Sequence, residues 1–112
     1  MNIKRIISLS VVSALLAASA SCAAVKINFP TAGASGALYA VGAAITNSWT
    51  KNVPDVQAAS QASAGGIANL NMVSEGEAQI SIAISSNVLQ CLKGTDSFTG
   101  HAYEDLKVIG GL

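Results

Sequence analysis

The chain has 112 residues, room for one small domain. Hydrophobic residues make up 51% and charged residues 11%, which argues against disorder. Six basic residues balance six acidic ones, so there is no electrostatic footprint for nucleic acid, and 4% aromatics give no stacking platform for bases. Two cysteines cannot make a disulfide scaffold or a four-ligand zinc site.

The start of the chain reads as a secretion signal. Lys4 and Arg5 precede an apolar run over 6–18, and small residues follow through Ala24. The run is too short for a spanning helix, which needs about 20 apolar residues. Ala18-Ser19-Ala20 fits a cleavage site before Ser21. Ser21-Cys22-Ala23 and Cys22-Ala23-Ala24 fit as well. A lipid anchor at Cys22 is an alternative, although Ser19 stands where lipoprotein signals prefer leucine. We assign 1–24 to the signal peptide and 25–112 to the exported domain. Without Lys4 and Arg5, four basic and six acidic residues remain, a net charge of −2 with no arginine. Cys91, between Gln90 and Leu92, reads as a small buried hydrophobe.

Residues 26–30 (KINFP) alternate as a short strand. A glycine-rich turn over 31–36 leads into a helix over 37–51. Leu38, Val41, Ile45 and Trp49 form its apolar stripe. Pro54 biases Val53 away from helical angles and ends that helix. A weak strand is expected over 56–62. Ser63 is the expected N-cap of a second helix, opened by Gly65-Gly66 and stopped by Gly76. Residues 79–84 (QISIAI) read as the clearest strand. Ser85-Ser86-Asn87 supply cap types for a third helix ending at Gly94, and a fourth strand is expected over 106–112. The order β-α-β-α-β-α-β predicts an α/β fold with a mainly parallel sheet between helix layers. The pattern would continue into a further helix after 106–112, so the chain reads as the N-terminal part of a longer protein.

In such a sheet the carboxyl ends of the strands open on one edge, where ligands meet helix N-termini. Three turns fall there: 31–36, 63–66 and 85–87. Their backbone N–H groups, helix ends and small hydroxyls suit a carboxylate or phosphate. Serine and glycine are also ordinary turn residues, so the bland alternative stands beside this one. Sharper motifs are absent. No Gly-Lys-Ser/Thr follows Gly36, the first glycine of a dinucleotide fingerprint is missing, and Ala37 breaks a nucleophile elbow at Ser35. His101, the only histidine, falls in a loop, and the scattered carboxylates make no metal cluster. Glu75 and Glu77 flank Gly76 as a solvated turn.

These blocks together resemble the TAXI family, the solute-binding proteins of tripartite TRAP transporters. Gly33, Gly36, Tyr39 and Gly42 keep most of its G-x-G-x-x-G-x-Y-x-x-x-G block, with Pro30 or Thr31 where its first glycine would be. Ser63, Gly65, Asn69 and Leu70 match most of T-G-G-S-x-x-N-L, and Gly76, Glu77 and Ala78 match G-E-A-D. Gly94 and Phe98 match a later G-x-x-x-F. Departures include Ala64 and Gly66 in the second block and Gln79 in place of aspartate.

The resemblance implies a periplasmic-binding-protein-like three-layer lobe, here the first of two. It implies no enzyme activity and no cofactor. The ligand is a small anionic solute, a dicarboxylate or glutamate-like molecule, captured in an interlobe cleft and passed to membrane permease subunits. It puts Ser35, Gly36, Tyr39, Ser63, Gly65, Asn69 and Ser85 near that cleft. Asn69 would bond the ligand or, in preference, brace the turn, and Tyr39 would stack on or bond the ligand or serve as a half-buried helix residue. With no arginine after Arg5, a bidentate carboxylate clamp would have to come from the second lobe. The alternatives are an exported α/β hydrolase, with His101 the one available histidine base, and a truncated product without function.

Overall fold

The computed structural model describes residues 23–111. In chain order these form β1 (Val25–Pro30), α1 (Ala37–Asn52), β2 (Val56–Gln61), α2 (Gly66–Ser74), α3 (Ser85–Lys93) and a 3-10 turn (Asp96–Phe98). β1 and β2 pair in parallel, in unbroken register from Val25–Val56 to Pro30–Gln61. The result is an α/β unit consistent with part of a periplasmic-binding-protein-like lobe. The expected signal segment up to residue 22, Cys22 included, lies outside the described residues.

α1 is the crossover between the strands, and its buried face is rotated from the expected stripe. Leu38 and Val41 are exposed, whereas Gly42 and Thr46 are buried and Trp49 is half-buried. Trp49 stacks on Phe29 of β1 with ring centroids 5.8 Å apart. Small size decides the rotation. A Cβ on Gly42 would overlap the Thr31 methyl group and press on the Ser60 hydroxyl, so glycine lets the helix lie close to the strands. Thr46 donates its hydroxyl back to the Gly42 carbonyl at 2.9 Å and can then be buried without an orphaned polar group.

Side chains satisfy main-chain groups at both edges of the two-stranded sheet. On β2, the Ala58 N–H donates to Thr50 Oγ1 at 2.9 Å, and the same hydroxyl donates to the Ala58 carbonyl at 3.2 Å. On β1, the Asn28 N–H donates to Gln79 Oε1 at 2.8 Å. That second bond explains a difference from expectation. Residues 79–84 form no ladder with β1, and side chains take groups that a ladder would use. Gln79 occupies the Asn28 N–H, and the Ile82 carbonyl accepts from Asn69. The strand expected over 106–112 is likewise absent among the described residues. Val108 and Ile109 are 69% and 79% exposed, with no neighbouring strand to pair with.

A small second core joins the later elements. Leu70, Cys91 and Phe98 are buried together, with Val88, Tyr103 and Leu106 packed around them. The Tyr103 ring meets Phe98 edge-on at 6.4 Å, and its N–H donates to the Cys91 carbonyl at 3.1 Å. Gly94 ends α3 in the left-handed region at φ 63°, as a C-terminal stop requires.

Two predictions follow from this packing. Gly42→Ala should lower stability in urea unfolding by about 1–3 kcal/mol, the usual range for overpacking, despite alanine's better helix propensity. Cys91 is 0% exposed, and burial pushes its thiol pKa up, partly offset by the Ser74 hydroxyl. The folded state therefore favours the protonated thiol. That stabilising contribution is complete below the unfolded thiol's pKa and is lost as pH rises through the higher folded value. A thiol reagent at pH 8 should label native Cys91 far more slowly than urea-unfolded Cys91.

Candidate functional site

Parallel register puts Pro30 and Gln61 at the same edge of the sheet, so the turns after β1 and β2 leave from one side. Main-chain bonds hold those turns together. The Thr31 N–H donates to the Gln61 carbonyl at 3.0 Å, and the Ser63 N–H donates to the Ala32 carbonyl at 3.1 Å. The third turn is tied in by a side chain. Asn69, on α2 and 0% exposed, donates from Nδ2 to the Thr31 carbonyl and to the Ile82 carbonyl, each at 2.7 Å. The Ser63 hydroxyl donates to Asn69 Oδ1 at 2.6 Å. One carboxamide thereby joins the segments leading into α1, α2 and α3.

The three helices open near this edge in the same chemical state. Their N-caps are Gly36, Gly65 and Ile84, and no side chain caps any of the three. The expected caps at Ser63 and Ser85–Asn87 are therefore not made. Ser63 turns inward to Asn69, and Ser85 is already the first residue of α3. None of the three first turns holds an acidic residue. The leading N–H groups and the positive dipole ends therefore have no carboxylate from their own first turns to neutralise them. Each end contributes about 0.3–1 kcal/mol toward a nearby anion, so three together orient a small acid more than they hold it.

The expected site residues occupy distinct positions. Ser35 is exposed in the first turn, and Gly36 donates its N–H to the Gly33 carbonyl at 2.8 Å. Tyr39 is half-buried in the first turn of α1. Ser63, Gly65 and Asn69 form one hydrogen-bonded group, with the Gly65 N–H donating to Ser63 Oγ at 3.2 Å. Ser85 is exposed at the start of α3. Two residues of this corner escaped the sequence reading as contacts. Thr31 is fully buried and supplies a carbonyl to Asn69. Asn87 lies so close to Gly66 that a Cβ there would come within 2.9 Å of its Nδ2, so glycine lets the starts of α2 and α3 abut. The absence of a Cβ at Gly66 was the one available signal for that contact.

Other features stay apart from this corner. His101, Glu75 and Glu77 are exposed, and no metal-holding group of His, Cys, Asp and Glu occurs among the described residues. An open apolar groove of about 360 Å³ is lined by Ile27, Trp49, Val53, Val56, Gln79 and Ile80. Val53 closes α1 and Val56 opens β2, so the groove lies toward the opposite edge of the sheet.

A parallel β-α-β unit with bare helix ends gathered at its carboxyl edge has the build of a binding-protein lobe. The chain belongs to the NMT1-like family, a periplasmic-binding-protein-like family whose pattern matches residues 29–112. That stretch includes all seven expected site residues. Membership supports an extracytoplasmic solute-binding role, with a small-molecule ligand and a membrane transporter as partners. No curated protein matches the chain.

Gly65 has φ 105° and ψ −164°, a region open essentially to glycine alone. Gly65→Ala should cost about 1–3 kcal/mol in thermal or urea unfolding, although a Cβ there would meet no neighbouring atom.

Proposed function

We propose that this protein is a TAXI-type solute-binding component of a TRAP transporter. It captures a small organic acid or acidic amino acid between two lobes and delivers it to the membrane permease. The observation that carries this reading is the set of three uncapped helix starts, free of first-turn acids and braced by Asn69. Export through the 1–24 segment puts the protein outside the cytoplasm, where the solute is met.

The ligand's negative charge lies against the amides that open α1, α2 and α3. The hydroxyls of Ser35 and Ser85 add donors from exposed positions, and Tyr39 offers its ring and phenol from α1. No arginine follows Arg5, so a guanidinium clamp comes from the second lobe. Closure of the lobes then adds the affinity that the helix ends lack. The reading needs neither catalysis nor a cofactor. A hydrolase would require a base beside Ser35 or Ser85, and the only histidine is exposed beyond the 3-10 turn.

The test is thermal unfolding of the full-length exported protein against a panel of dicarboxylates and acidic amino acids. A true ligand at about 100 times its Kd should stabilise by about 2.7 kcal/mol. His101→Ala should keep that response. A panel in which no acid raises the melting temperature would overturn the proposal.

A further inference from the structure

The carboxamide of Asn69 has two N–H donors and one oxygen that accepts. Both donors end on main-chain carbonyls at 2.7 Å, one from Thr31 and one from Ile82. That fixes the orientation of the amide, because a flipped group would set its oxygen against two carbonyl oxygens. Oδ1 must then accept, and the Ser63 hydroxyl stands 2.6 Å away. A hydroxyl carries a single proton, and Ser63 spends it inward on Asn69. Its oxygen also accepts the Gly65 N–H at 3.2 Å. Ser63 therefore has no proton to offer an anion.

We propose that Asn69 is the positioning residue of the site, setting the spacing of the three turns, and that its hold on Ser63 leaves the α2 corner with main-chain donors alone. This rests on the anion-binding reading above. Asn69 never meets the ligand, because it is 0% exposed. The ligand's charge is met at α2 by the leading amides, starting at Gly66, and the serine hydroxyl serves as framework.

The brace can be tested in the full chain without a ligand. Asn69→Asp at pH 7 replaces both donors with a carboxylate facing two carbonyls. Amide exchange should accelerate together in segments 31–37, 63–67 and 82–86. The hydrogen-bond contacts of this side chain come from Thr31, Ser63 and Ile82, none of them titratable. Burial beside two carbonyls favours the neutral acid, so the introduced carboxyl should titrate above its unfolded value of about 3.9. Stability of this variant relative to Asn69→Ala should be greatest below that value and fall as pH rises through the higher folded one. Faster exchange in one turn only, or identical pH profiles for the two variants, would refute the brace.

Ser63 is tested with L-glutamate and succinate as probes. Ser63→Ala should melt at lower temperature yet keep probe affinity within about threefold, and Ser63→Thr should restore the melting temperature. If the hydroxyl donated to the anion instead, Ser63→Ala would lose about tenfold or more. That loss would overturn the assignment of Ser63. Should neither probe bind the unaltered protein, the assignment of the α2 amides to these acids fails, the wider panel still decides the proposed function, and exchange alone decides the brace.

Discussion

A carboxamide shut away from water must find its hydrogen bonds inside the protein, and at Asn69 that requirement organises the whole carboxyl edge. The side chain sits on α2, yet its partners belong to the turn after β1, the turn after β2 and the segment entering α3. None of these segments is held there by a continuous strand ladder across all three. The sheet has only two strands among the described residues, so the third segment is anchored by side chains instead. Losing one partner would leave a buried donor or acceptor unpaired, at a cost of about 1–3 kcal/mol. The arrangement is therefore held as a unit.

The rest of the packing keeps that edge in place. Gly42 and Thr46 let α1 lie close over the strands, and the Phe29–Trp49 stack fixes the far half of the helix. Thr50 and Gln79 occupy main-chain groups on opposite edges of the sheet, which blunts both against further pairing. The Leu70–Cys91–Phe98 core then holds α2 and α3 to each other. Asn69 and Leu70 are neighbours in sequence, so the polar brace and the apolar core are served by the same turn of α2.

Electrostatics gives the site its character and its limit. Bare helix starts favour negative charge, and a domain of net charge −2 without arginine supplies no strong cation beside them. Such a surface selects orientation more than it builds affinity. On the function proposed above, a second lobe would supply the remaining affinity.

Much of this was open to reading from the residues. Alternation at 26–30, the proline at 54, and the glycines at 65, 76 and 94 mark local backbone preferences, which act over a few residues wherever the chain lies. Two strands, three helices and their turns accordingly stand close to where expected. Asn69 reads as a ligand contact or a brace, and the groups that hold it lie 6 to 38 positions away in the chain. The rotation of α1, the inward turn of Ser63 and the missing ladder at 79–84 were not legible. Each depends on groups brought together across 6 to 51 positions of chain. Periodicity describes what a segment offers. Only the assembled fold settles the competition for each hydrogen bond, since partners distant in sequence become neighbours through packing alone.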